Sequence, residues 1–212
     1  MQIPTPPVNI PLLGYWLGIA AVAACAAAAV LEVGRKRFDA FGVVVVAFAA
    51  ALGGGTTRDL LLGRQVFWIA DPTYLIAAAL AGIAAFGLAR RMRLPLDLFL
   101  IPDAIGLALF TIVGTKVALN EGTHWTVAGL MGVITGVVGG ILRDVLANEE
   151  PVVFHGELYA TAAGAGALTL LGLLALDIDP RWAAFWAGSL IFAVRLAAIR
   201  WHLRLPEFQS LR

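Results

Sequence analysis

"LGGGTTRDLLLG", residues 52–63, sets three consecutive glycines and an Arg-Asp pair inside a run that otherwise reads as a membrane-crossing helix. Glycine weakens a helix and charge in hydrocarbon is expensive, so such a stretch marks a functional interruption or an unusually close helix contact. The motif occurs twice. Gly54-Gly55-Thr56-Thr57-Arg58-Asp59-Leu60-Leu61 aligns with Gly139-Gly140-Ile141-Leu142-Arg143-Asp144-Val145-Leu146 at a constant offset of 85, which also pairs Tyr74 with Tyr159. A duplicated motif in fixed register implies a duplicated fold.

The surroundings are apolar. Of 212 residues 60 % are hydrophobic and 14 % charged, and the mean hydropathy is +0.88. Soluble domains carry about 25 % charged residues, so this composition implies an all-α membrane protein forming one transmembrane domain over residues 1–212. Seven stretches, near 12–31, 40–62, 73–90, 98–119, 124–146, 157–176 and 181–201, approach the roughly 20 apolar residues that cross a hydrocarbon core of about 30 Å. Gly18 falls against Gly106 at an offset of 88, a loop difference of three residues. Repeat one then covers about 12–90, repeat two about 98–176, and a seventh helix about 181–201 stands alone. Three crossings per repeat force the second copy upside down, the inverted-repeat plan of many transport proteins.

Orientation follows from basic residues in short loops. Arg35, Lys36, Arg37, Arg90, Arg91, Arg93, Arg200, Arg204 and Arg212 fall on one side, Arg64 and Arg181 on the other. This predicts a cytoplasmic C-terminus and an outer N-terminus. The opening "MQIPTPPVNIP" lacks the basic region of a secretory signal, so the first span is expected to be retained.

Two readings of the glycines stand side by side. Gly53, Gly54, Gly55, Gly139 and Gly140 could kink their helices and free backbone carbonyls toward a path, which is tolerable only where they line water or are buried in protein. Gly132, Gly136 and Gly140 form a small-xxx-small series that fits helix packing. Intramembrane charge is the second signal: Arg58, Asp59, Asp103, Lys116, Arg143, Asp144 and Arg195. Chain neighbours leave a helix about 100° apart, so cross-repeat pairs are expected, Arg58 with Asp144 or Asp103 and Arg143 with Asp59. These are structural clasps or parts of a path. Lys116, thirteen residues after Asp103, reads equally as a gate or as a side chain reaching for the interface.

Lone Cys25 reads as a small packing residue. His124, His155 and His202 lack metal-ligand spacing, and no nucleotide loop, nucleophile elbow or acid-base pair is present. Neither an enzyme, a cofactor, a resident metal nor a nucleic-acid partner is expected.

The order "FDAFGVVVVAFAAALGGGTTRDLLLGRQVFWIADPTYL", "PDAIGLALFTIVGTKVAL" and "GVITGVVGGILRDVLANEEPVVFHGELYATAA" resembles the prokaryotic trimeric intracellular cation (TRIC) channels. It is equally similar to bacterial membrane proteins whose three-helix repeat is called a glycine-transporter domain. The likeness runs from about Leu12 to Pro206. It implies a seven-helix protomer in a homotrimer, with a path for potassium and other monovalent cations in each protomer, sodium being a second candidate, within membrane lipid of a prokaryotic inner membrane. The glycines of the two motifs would be the kinks of that path, and Lys116 a candidate for the gating lysine of eukaryotic members. The first repeat of the family often begins Asp-x-x-Gly and reaches Ser-Gly; here it reads Tyr15-x-x-Gly18 and Cys25-Ala26, whereas Asp103-x-x-Gly106 keeps the pattern.

Two functions follow. In a cation channel, carbonyls freed at the kinks and hydroxyls of Thr56, Thr57, Thr111, Thr115 or Thr135 would replace part of an ion's hydration, with Asp59, Asp103 or Asp144 favouring cations. In a secondary transporter of a small zwitterion such as glycine, the same inverted repeats would give alternating access.

Overall fold

The computed structural model describes residues 12–34, 36, 38–91, 98–155 and 158–203. These contain nine α-helices and no strand: α1 (Leu12–Val33), α2 (Ala40–Leu61), α3 (Phe67–Ala70), α4 (Thr73–Arg91), α5 (Leu100–Asn120), α6 (Trp125–Leu146), α7 (Val152–His155), α8 (Ala160–Ala175) and α9 (Pro180–Trp201). Arg35, Arg37, Arg93, Arg204 and Arg212, which the expected orientation uses, lie outside the described residues, as does the opening stretch before Leu12.

Six helices, α1, α2, α4, α5, α6 and α9, are long and apolar enough to span a membrane. The expected span at 157–176 is instead the 16-residue α8, about 24 Å long and shorter than a hydrocarbon core of about 30 Å. Chain before it is spent on α7, and Asp177 ends it with a positive φ of 57°. Exposed Trp16, Trp125, Trp182 and Trp201 lie near helix ends, as interfacial indoles do.

The duplication is written into the backbone. α2 and α6 have 22 residues each, and both they and the short helices α3 and α7 start 85 residues apart. Their caps match too. Asp39 accepts from the Gly42 N–H, and His124 from the Thr126 N–H, which occupies backbone donors that a helix start leaves open. After the last turns, Gly63 and Asn148 take left-handed φ of 65° and 53°, the turn that glycine and asparagine tolerate best.

The packing fixes the relation between the copies. A Cβ on Gly54 would strike the Thr135 carbonyl, and one on Gly139 the Ala50 carbonyl. Both contacts join the same pair of positions in the duplicated register, so a two-fold axis relates them. Partner numbers fall from 139 to 135 as α2 advances from 50 to 54, so the helices cross antiparallel. Two spanning helices related this way place the axis in the membrane plane, and the repeats are inverted. Around the crossing, α1 packs on α2, α4 and α5, while α9 covers α5 and α8.

Candidate functional site

The two Arg-Asp motifs end the crossing helices, and each solves the cost of buried charge locally. Arg58 Nε donates to Asp59 Oδ1 at 2.8 Å, and Arg143 Nε to Asp144 Oδ1 at 2.8 Å. The second carboxylate oxygen then caps the following short helix: Asp59 Oδ2 accepts from the Phe67 N–H at 2.8 Å and Asp144 Oδ2 from the Val152 N–H at 3.0 Å. The expected cross-repeat pairs, Arg58 with Asp144 or Asp103 and Arg143 with Asp59, are therefore not formed. The long arginine arm folds back across the angle that separates neighbouring Cβ atoms, a reach that an argument from helix geometry alone leaves out.

Repeat two adds a second acid. Asp103, in the first turn of α5, pairs with Arg143, accepts from Tyr159 OH at 3.3 Å and has an Oδ2 that is buried without a hydrogen-bond partner. Phe99 lies 5.3 Å from the Arg143 guanidinium carbon. At the matching place in repeat one stands Tyr15, edge-on to Tyr74 at 5.8 Å, and Arg58 has Phe67 at 5.7 Å. All five charged members, Arg58, Asp59, Asp103, Arg143 and Asp144, are buried.

The motif glycines do not break their helices, since α2 and α6 run uninterrupted through them. They allow close approach instead. Gly54 and Gly139 make the crossing, Gly53 faces Leu142, Gly55 faces Phe67, and a Cβ on Gly140 would lie 2.7 Å from Tyr159 OH. Gly132 and Gly136 pack on α5, as the small-xxx-small reading expects, whereas Gly140 turns to Tyr159. The expected freed carbonyl is absent at Gly53, and at Leu52 before it. Thr56 Oγ1 donates to Leu52 O at 2.7 Å and Thr57 Oγ1 to Gly53 O at 2.9 Å.

The α5–α6 contact is a polar seam inside an apolar molecule. Thr111, Thr115 and Thr135 are 0 % exposed. Gly132 opposes Thr115, Gly136 opposes Thr111, and Gly114 opposes Thr135. Thr115 Oγ1 donates to Thr111 O at 2.9 Å and Thr135 Oγ1 to Met131 O at 2.5 Å. A hydroxyl whose proton is committed to its own helix offers its neighbours acceptor lone pairs, a chemistry that suits cations. Asp103, Leu107, Thr111 and Thr115 follow at intervals of four on one face of α5, so the seam begins at the acid. Thr56 is less available, because Trp68 Nε1 donates to its oxygen at 2.9 Å.

Lys116 is half-buried one residue beyond Thr115, so it leaves α5 about 100° from the threonine face; the carboxylate acting on it is Asp179, the N-cap of α9. Arg195, 0 % exposed on α9, lies over the Tyr159 ring at 4.8 Å and donates to Leu158 O at 3.2 Å. Cys25 is packed on Gly106, His124 is an exposed helix cap, and the side chain of His155 lies outside the described residues. Tyr159, Phe67 and Phe99 join the site without a motif of their own; the Tyr74–Tyr159 match at offset 85 is the signal in the sequence that points to the first of them. No cluster of metal-ligating side chains occurs among the described residues.

Fold and site together define an inverted-repeat membrane protein with a buried, acid-capped hydroxyl seam. The family model described as "Glycine transporter" matches twice, over residues 15–90 and 100–175, one match per repeat. The UPF0126 inner membrane protein YadS of Escherichia coli K12 is 42 % identical over 200 residues, covering 93 % of this chain and 97 % of YadS. The chain belongs to this family of membrane proteins, whose solved relatives are channels rather than enzymes. Among solved structures, the TRIC trimeric intracellular cation channel orthologue from Rhodobacter sphaeroides superposes with a TM-score of 0.86 at 34 % identity, covering 90 % of this chain and 99 % of that one. A prokaryotic TRIC channel in 0.5 M KCl superposes with a TM-score of 0.84 at 28 % identity, covering 92 % and 99 %.

Proposed function

We propose that this protein is a monovalent cation channel, potassium being its main ion and sodium a second, with one path per protomer between the inverted repeats of a homotrimer. The observation that carries the reading is the α5–α6 seam of repeat two, which meets repeat one where the Thr135 carbonyl lies against Gly54: three fully buried threonines face glycines there, Thr111 and Thr115 on the α5 row that starts at Asp103. The Thr115 and Thr135 hydroxyls, whose protons are committed to their own helices, and the Thr111 hydroxyl, buried without a hydrogen-bond partner, replace hydration water around a cation without holding it tightly. The net charge is supplied by Asp103, whose Oδ2 has no donor. Gly54 and Gly139, with Gly53 against Leu142, hold the crossing helices close enough to form the constriction, while Gly55 and Gly140 seat Phe67 and Tyr159 beside it. The Arg58–Asp59 and Arg143–Asp144 pairs fix the helix ends, and Lys116 sits where its charge would modulate one mouth.

In this reading α8, together with the chain before it, completes a seventh crossing, the N-terminus is outside, the C-terminus is cytoplasmic, and the protein resides in a bacterial inner membrane. The described conformation is closed, since the seam threonines touch glycines directly.

The test is the reversal potential of purified protein in a planar bilayer under a potassium chloride gradient, before and after adding glycine. A potential near the potassium value and indifferent to glycine is expected. A silent bilayer with saturable glycine uptake into liposomes would overturn the channel in favour of a zwitterion transporter.

A further inference from the structure

Two ion pairs outside the buried motifs occupy equivalent places at opposite ends of the molecule, with their charges exchanged. Beyond the C-terminal end of α1, Lys36 Nζ pairs with Glu149 Oε1 at 2.7 Å and also donates to the Ala147 carbonyl that ends α6. Beyond the C-terminal end of α2, Arg64 Nη1 pairs with Glu121 Oε1 at 3.2 Å, and Glu121 is the C-cap of α5. Lys36 and Glu121 are 85 positions apart, as are Arg64 and Glu149. One pair of positions in the duplicated register thus carries Lys–Glu at one end and Glu–Arg at the other. Each pair joins one repeat to the other. α2 separates the ends by 22 residues, about 33 Å.

Between them lies the antiparallel crossing at Ala50–Gly54 and Thr135–Gly139, near the middle of both helices, where backbone touches backbone. That contact cannot lengthen without being lost. The ends are held by partly exposed ion pairs, which separate at little cost. We infer that Lys36–Glu149 and Arg64–Glu121 are two charge-reversed latches about a central glycine pivot, each controlling the opening of the repeats at its own membrane face. The inference rests on the proposed path between the repeats, because that path's mouths are what the latches close. Of the two, Arg64–Glu121 is the firmer. Arg64 Nε also lies 3.5 Å from Asp59 Oδ1, which ties this latch into the buried Arg58–Asp59 pair, and Arg64 is less exposed than Lys36.

The experiment uses full-length protein in oriented proteoliposomes, with Cys25→Ala and Thr111→Cys giving one reporter thiol on the seam. A membrane-impermeant thiol reagent is applied to one face at a time. Lys36→Gln should speed labelling about two- to five-fold from the Lys36 face alone, and Glu121→Gln should do the same from the opposite face alone, the range expected for a partly exposed pair. The exchange Lys36→Glu with Glu149→Lys should restore the slow rate. Equal acceleration from both faces, no acceleration, or failure of the exchanged pair to restore the rate would overturn the latches. Labelling is read without any current, so a silent bilayer would refute conduction while this readout still judged the latches.

Discussion

The two repeats share a backbone register and differ in what fills it. Where repeat two places Thr111, Gly114 and Thr115 against Gly132, Thr135 and Gly136, the equivalent positions of repeat one are Ala23, Ala26 and Ala27 with Ala47, Ala50 and Ala51. Where repeat two begins with Asp103, repeat one begins with Tyr15. Small residues suffice for helices to pack closely in lipid, and both copies satisfy that. At these positions only repeat two adds oxygen. The duplicated frame is therefore the structural part of the design, and the polar groups of α5 and α6 are the part available for chemistry.

The buried pairs give the largest expected difference between the copies. Asp59→Asn leaves Arg58 without the one carboxylate that serves it among the described residues, a loss of about 3–5 kcal/mol. Asp144→Asn leaves Arg143 its bond to Asp103 and should cost less, about 1.5–3 kcal/mol. Chemical unfolding of the purified variants in detergent compares them. Equal losses would remove the special standing of Asp103.

The crossing glycines should behave alike, because one axis relates them. Gly54→Ala and Gly139→Ala each press a methyl group onto a backbone carbonyl that cannot rotate away, costing about 1–3 kcal/mol. Thermal midpoints measured side by side should fall together, and a fall in one alone would break the symmetry. The smallest effect is expected at Gly87 and Gly172, another pair 85 positions apart, where a Cβ meets nothing within 4 Å. Alanine there should stabilise each helix by about 0.5–1 kcal/mol in the same assay.

Much of this was legible beforehand, because helices in lipid must be long and apolar and because duplicated residues keep their offset. The paired Gly-Gly-x-x-Arg-Asp motifs, the inversion and the candidate acids all followed from that. The short helices α3 and α7 did not, since four residues carry too little periodicity to read. Nor did the pairing of each arginine with its own neighbour, which depends on side-chain reach and on the short helix that the aspartate caps. The glycines were visible, but whether they bend a helix or admit another depends on what lies opposite, and the Thr135 and Ala50 carbonyls come from the other repeat.

That the path follows repeat two's seam is tested most directly by the unitary conductance of Thr111→Val, which keeps the shape of the side chain and removes its oxygen. A several-fold drop in potassium conductance is the predicted result. Conductance unchanged from the parent protein would contradict a path along α5 and α6.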